Sequence, residues 1–251
     1  MSSTPRFFIS KSEFNGDTVT IRGTDAAHIY RVLRLREGDE ITVCDMQKSL
    51  YDGVLTYVSA EEVEVSLSAC RPSPAEPPYT VTLYQGMPKG DKLDTIVQKA
   101  VELGATAIVP VMCERAVSRP DEKSMDKKII RLNRIAAEAS KQCGRGIVPE
   151  VLPMVSYKEM LERLTTAELH FICYEGDGTV PCREIITAKE SISSVAFYIG
   201  PEGGISSGEI AAARDRNIPL AGLGKRILRT ETAPLFVLSA ISVLAEDREF
   251  N

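Results

Sequence analysis

The sequence has only two histidines, His28 and His170, and its six cysteines (Cys44, Cys70, Cys113, Cys143, Cys173 and Cys182) lie far apart with no CxxC pair. Metal ligands and disulfide frameworks show as closely spaced sets, so neither a metal site nor a disulfide framework is expected, and the thiols read as small hydrophobes. No apolar run approaches the ~18 residues needed to span a membrane. The start, Met1 to Phe14, has no apolar stretch behind a basic end and no small-residue cleavage site, which makes the cytoplasm the expected compartment and a membrane partner unexpected. A basic excess is missing too. Thirty Lys and Arg stand against 35 Asp and Glu, for a net charge of −5, which excludes a protein that coats nucleic acid by charge alone. Contact with RNA would have to come from local patches. One stretch, Arg115 to Arg145, holds nine basic against four acidic residues, a pattern that also fits the solvated face of a helix.

What is present is an ordinary globular composition, 43% hydrophobic and 26% charged over 251 residues, enough for two modest domains with real cores. The segment Arg71 to Tyr79, RPSPAEPPY, carries four prolines, which suit neither a sheet interior nor a helix. It divides the chain into residues 1–71, a linker at 72–78, and residues 79–251. Before it come alternating runs (TVTIR, EITVC, GVLTYV, EVEVSL) that predict half-buried strands of a small β domain. Asp25 to Leu35 is the helical exception, with Asp25 as N-cap, and Ile29, Val32 and Leu33 on one face against His28, Arg31 and Arg34 on another. After the linker, strands alternate with helices. The runs TAIVPVM, LHFICY, VAFYIG and Pro219 to Leu223 are strands buried on both faces, as in a mainly parallel α/β sheet. Ligands in such sheets sit beyond the C-terminal strand ends, which singles out the loops after Tyr174, Ile199 and Leu223.

Gly200-Pro-Glu-Gly-Gly-Ile-Ser206 leads from a strand into a helix that opens on the capping box Ser206-x-x-Glu209. Its glycines can present bare amides to a ligand; taken alone, the motif also fits a plain strand-to-helix turn. It is neither a dinucleotide fingerprint nor a P-loop. Leu223 to Ala233, LGKRILRTETA, places the apolar pair Ile227 and Leu228 in an otherwise polar loop, as in a segment folded against something; taken alone, the pair also fits anchors of the loop to the core, with Arg226 and Arg229 pointing to water. The loop precedes a helix whose expected buried face is Phe236, Val237, Ala240, Ile241 and Leu244.

Together these residues resemble the SPOUT class of methyltransferases, and specifically the RsmE-type 16S ribosomal RNA (uracil-N3) methyltransferases, over nearly the whole chain. Arg6-Phe-Phe8, His28-x-x-Arg-Val-Leu-Arg34 and Gly38-Asp39 are similar to that family's PUA-like domain. Lys89-Gly-Asp-Lys-Leu-Asp94, Gln98 to Gly104, Glu138-Ala139, Gln142 and Arg145 are similar to the start of its catalytic domain. One departure is that the family commonly carries a Trp in the helix where this chain has Leu132. The resemblance implies a small N-terminal PUA-like β-barrel followed by a SPOUT-type, trefoil-knotted, mainly parallel sheet with helices, and a homodimer. It also implies S-adenosylmethionine held by Tyr174, Glu175, Ile199, Gly200, Pro201, Gly203, Gly204, Leu223, Gly224, Arg226, Ile227, Leu228, Thr232 and Ala233.

The implied reaction removes the uracil N3 proton, after which the nitrogen attacks the methyl group in line. Arg229 suits stabilisation of the charge that develops on the base, because a guanidinium stays protonated. Glu231 is the neighbouring carboxylate that could take the proton, although a helix N-terminus would weaken it as a base. Arg6, His28, Arg31, Arg34, Lys89, Lys92 and Arg145 are the expected contacts to 16S ribosomal RNA of the small subunit. The alternatives are a related enzyme acting on another base or a ribose 2′-OH, and a noncatalytic RNA-binding assembly protein.

Overall fold

The structure is a computed structural model that describes residues 4–246; the ends of both expected domains, 1–3 and 247–251, lie outside the described residues. It divides into two compact units, Met1–Glu76 with Ser140–Val148, and Pro77–Ala139 with Pro149–Asn251.

The first unit contains β1 (Arg6–Phe8), β2 (Phe14–Asn15), β3 (Thr18–Arg22), α1 (Thr24–Ala27), β4 (Glu40–Cys44), β5 (Ser49–Val58) and β6 (Glu62–Pro72). They form one sheet in the order β1-β4-β5-β6-β3-β2, antiparallel except for β1 against β4. Alternation puts Val19, Ile21, Val43, Leu55, Val63 and Val65 into a single core with Phe7 and Ile29. β6 continues through Pro72, where the linker was expected to begin, and the units divide after Glu76. Proline is tolerated there because it ends the strand.

The helical exception differs from expectation in two ways. Asp25 is not the N-cap: Gly23, at φ 69°, makes the entry turn, and the Asp25 carboxylate pairs with Lys141 at 3.2 Å. From His28 to Leu33 the backbone is a π-helix ending on Arg34 in the left-handed region (φ 54°). The wider winding breaks the 3.6-residue face, so Ile29 is buried while Val32 is 65% exposed.

The second unit contains β7 (Thr80–Gly86), α2 (Lys92–Glu102), β8 (Ala107–Met112), α3 (Glu122–Cys143, whose last residues from Ser140 belong to the first unit), β9 (Glu150–Val151), β10 (Val155–Ser156) and α4 (Tyr157–Leu164). It continues with β11 (Leu169–Cys173), β12 (Val180–Pro181), α5 (Cys182–Thr187), β13 (Ser194–Ile199), α6 (Ser207–Arg214), β14 (Leu220–Gly222) and α7 (Ala233–Ile241). The sheet order is β10-β8-β7-β13-β11-β14-β12, with β9 beside β8, and every registered pair is parallel. β13 is seated between β7 and β11 although it follows both in sequence. Its Val195 to Ile199 are buried on both faces, as the unbroken apolar run requires. Leu132 is fully buried in α3. Among the described residues no helix is long and apolar enough to cross a membrane.

Candidate active site

β13, β11 and β14 are adjacent and parallel, so the loops that follow them leave from one edge of the sheet. They enclose a cavity of about 400 Å³, lined from the first loop by Tyr174, Glu175 and Thr179, and from the second by Gly200, Pro201, Glu202, Gly204 and Ile205. Leu223 to Thr230 and Ala233 complete it from the third, with Cys173, Ile199 and Gly222 at the strand ends and Lys92 at its edge.

Each loop is shaped by a local constraint. In the first, a side chain on Gly176 would meet the Tyr174 ring at 2.5 Å, so this glycine lets the ring fold back. In the second, Gly204 has φ +70°, and a Cβ there would lie 3.0 Å from Glu175 Oε1. The far end is anchored by the expected capping box, in which Ser206 Oγ accepts from the Glu209 amide and Glu209 accepts from that of Ser206. Glu209 also accepts the Glu114 amide at 2.8 Å, and Ser206 Oγ donates to Glu114 at 2.6 Å. The third loop is tied down by Thr230, whose buried hydroxyl donates to the Gly200 carbonyl at 2.8 Å and accepts from Gln85 Nε2 at 3.0 Å. Ile227 is 85% exposed, so it is not a core anchor, while Leu228 is half-buried and Arg226 and Arg229 are exposed on the rim.

Several expected site residues are elsewhere. Gly203 does not face the cavity; a Cβ on it would meet the Arg115 carbonyl oxygen at 2.9 Å, because the Arg115 backbone packs against this turn. Thr232 lines a separate apolar groove on α7 with Leu235, Phe236 and Val243, because the turn closed on the Arg229 carbonyl rotates it outward. Phe236, expected inside, is 43% exposed in that groove, whereas Val237, Leu238 and Ile241 are buried. Glu231 lies outside the cavity and 3.1 Å from the Lys92 ammonium, which also sits 2.9 Å from Glu202. Burial pushes both carboxyls up. Their own backbone N–H groups and the Lys92 ammonium outweigh it and hold them below the ordinary value, with Arg229 adding to the effect on Glu231. Glu231 is thus a poor proton acceptor, and Lys92 is committed to the loops rather than to RNA.

The expected RNA contacts separate in the same manner. His28, Arg31 and Arg34 are exposed on the first unit and Lys89 on the second. Arg6 is spent on structure, its guanidinium donating to the carbonyls of Gly144 and, at 2.9 Å, Arg145. Arg145 is only 2% exposed and grips Glu76 with two hydrogen bonds of 2.8 and 3.0 Å, so it is not available to RNA. Thr230, Gln85, Gly176 and Thr179 were not singled out in the sequence; a lone polar residue closing an apolar strand, as Gln85 closes VTLYQ, was the available signal. Cys173 is buried at the cavity, and burial keeps its thiol protonated, which removes it as a nucleophile. Among the described residues no cluster of His, Cys, Asp and Glu could hold a metal ion.

A parallel sheet with a ligand-sized cavity built from three loops at one edge defines an α/β domain of the cofactor-binding kind. Residues 75–242 match the family described as RNA methyltransferase domain, and residues 21–68 the one described as RNA methyltransferase PUA domain. The chain belongs to this RNA methyltransferase family. It is 36% identical over 233 residues to ribosomal RNA small subunit methyltransferase E of Bacillus subtilis, covering 91% of each chain. It is 30% identical to the protein of the same name from Aquifex aeolicus, over 92% of this chain and 96% of that one. The crystal structure of ribosomal RNA small subunit methyltransferase E from Neisseria gonorrhoeae bound to S-adenosyl methionine superimposes with a TM-score of 0.84 at 32% identity, over 97% and 98% of the two chains.

Proposed function

We propose that this protein methylates N3 of a uracil in 16S ribosomal RNA of the small ribosomal subunit, with S-adenosylmethionine as donor. The cavity carries the reading. Its volume suits a small-molecule cofactor. Ile199, Ile205, Leu223 and Ala233 offer apolar walls, Gly200 and Gly204 allow close backbone approach, and Glu175 brings a carboxylate to a ligand with cationic groups. The cofactor supplies an electrophilic methyl group. Residues of the chain do the rest: the three loops fix its position, and Arg229 on the rim offers hydrogen bonds to a uracil carbonyl as negative charge develops. Glu231 is not assigned the N3 proton, because Lys92 already pairs with it; the proton leaves to solvent water, and the N3–methyl bond forms as the donor's sulfur–methyl bond breaks.

On the first unit the exposed His28, Arg31 and Arg34 are the RNA contacts, and on the second unit the exposed Lys89 is one, each acting as a positioning contact to phosphate. The protein works as a homodimer in the cytoplasm, where the small subunit is, with the apolar groove of α7 as the self-association face. The trefoil knot belongs to the same reading, as part of the fold that the family resemblance implies for the second unit. Mass mapping of small-subunit RNA from cells with and without the protein tests it. Loss of one methyl group at a uracil N3 supports the reading, loss from another base or a ribose 2′-OH reassigns the substrate, and an unchanged map overturns it.

A further inference from the structure

We infer that Gln85 is a positioning residue for the cofactor cavity, acting through Thr230 on the Gly200 carbonyl. This inference rests on the cavity being the S-adenosylmethionine site. Gln85 is the last residue but one of β7 and does not line the cavity, yet its fully buried side chain reaches Thr230, which does. Nε2 donates to Thr230 Oγ1 at 3.0 Å and to the Gly86 carbonyl at 3.1 Å, and Thr230 Oγ1 donates to the Gly200 carbonyl at 2.8 Å.

The direction of these bonds matters. A threonine hydroxyl has one proton, and here it goes to Gly200, so Thr230 must accept from a group that donates. Residue 201 is proline and brings no N–H, which leaves the Gly200 carbonyl as the backbone handle by which the turn can be fastened at that point. Gly86, the next residue of β7, supports the same turn sterically: a Cβ there would sit 2.7 Å from Pro201 Cδ and 2.8 Å from its nitrogen. The end of β7 is therefore a floor on which the second and third loops are held in register, by a hydrogen-bond relay on one side and close packing on the other. Gln85 Oε1 is buried without a hydrogen-bond partner, so the amide is retained at a cost that an apolar residue would avoid.

The test is calorimetric affinity for S-adenosylmethionine in the full-length protein, with cofactor-free thermal midpoints and steady-state kinetics beside it. Gln85→Glu keeps the shape and, when ionised, can only accept, so it reverses the relay; Gln85→Leu removes it. Both are expected to raise the cofactor Kd about tenfold. KM for the cofactor should rise with it, while kcat at saturating cofactor stays near the parent value. Thr230→Val should match Gln85→Leu, Thr230→Ser should restore binding, and the double variant Gln85→Leu/Thr230→Val should be no worse than Thr230→Val alone. If one Gln85 variant does not fold, the Thr230 pair reads the same relay. Kd values within twofold of the parent in folded Gln85 variants, or losses that simply add, overturn the role of Gln85. A parent protein that binds no S-adenosylmethionine overturns the cofactor reading, and the relay with it.

Discussion

The Lys92 ammonium lies 3.1 Å from the Glu231 carboxylate, so the acid two residues beyond Arg229 is already paired. Arg229 and Glu231 should therefore part company in kinetics. Arg229→Ala is expected to cut single-turnover methyl transfer at saturating RNA by about 10² to 10³, with cofactor affinity largely kept. Glu231→Gln should stay within roughly fivefold of the parent, as suits a partner of Lys92 rather than a proton acceptor. A loss for Glu231→Gln as deep as that of Arg229→Ala would return it to the chemistry.

Gly203 and Gly204 are adjacent yet face different neighbours. Gly204→Val should abolish detectable cofactor binding in a folded protein, since it forces a branched side chain to φ +70° and a Cβ to 3.0 Å from Glu175. Gly203→Ala presses on the Arg115 carbonyl oxygen from outside the cavity and should weaken binding less. Equal affinities for Gly204→Val and the parent, measured by calorimetry, would remove this turn from the site.

Arg145 and Arg34 make the same contrast for RNA. Arg145→Ala leaves Glu76 buried without its partner and should cost roughly 3–5 kcal/mol of stability. Arg34→Ala should leave denaturation unchanged and weaken RNA binding in a manner that fades as salt rises. Denaturant melts and filter binding at two ionic strengths would distinguish them, and a stable Arg145→Ala with selectively lost RNA affinity would contradict the buried pair.

Glu168 accepts from the backbone N–H and the hydroxyl of Ser193 and pairs with Lys189, which lowers its carboxyl to about 2. Because the folded value is depressed, its stabilisation is present above the unfolded value of about 4.3 and is lost as the pH falls through the folded one. The thermal midpoints of the parent and Glu168→Gln should differ at neutral pH and converge between about pH 4 and pH 2. A gap that stays constant across that window would mean the ionised carboxylate does not hold this corner.

Phe236 and Val243 stand exposed in the α7 groove. Phe236→Asp should convert a dimer to a monomer in light scattering at micromolar concentration, with the thermal midpoint of the isolated chain little changed. A parent protein that is itself monomeric there would defeat the dimer proposal.

The edge of the sheet that carries the cavity could be read from sequence because unbroken apolar runs such as VAFYIG have one physical explanation, strands covered on both faces, and the three runs that border the cavity each lead into a glycine-bearing loop. The capping box at Ser206 and Glu209 was legible for a similar reason: both partners lie within four residues. Arg145 was not, since nothing near it announces that Glu76, 69 positions earlier, will claim it. The Gln85–Thr230 relay spans 145 positions, and such distant pairings exist only once the chain has folded. Val32 was misplaced because the same residues point differently when the helix winds more widely than 3.6 residues per turn.

The first unit is assembled from two separated stretches of chain, residues 4–76 and 140–148 of those described, stitched by Arg6 and Gly144, Glu76 and Arg145, and the Lys48 amide with the Gly146 carbonyl. On a translating ribosome the first stretch emerges early and must wait while residues 77–139 are made before its last pieces arrive. At about 5–20 residues per second, that wait lasts several seconds, far longer than a small sheet needs to collapse. During the interval Glu76 has no guanidinium to hold and the Arg6 side of the sheet is unfinished. Cutting the gene at the proline-rich segment would make the delay permanent, leaving residues 140–148 on a fragment that lacks the sheet they complete.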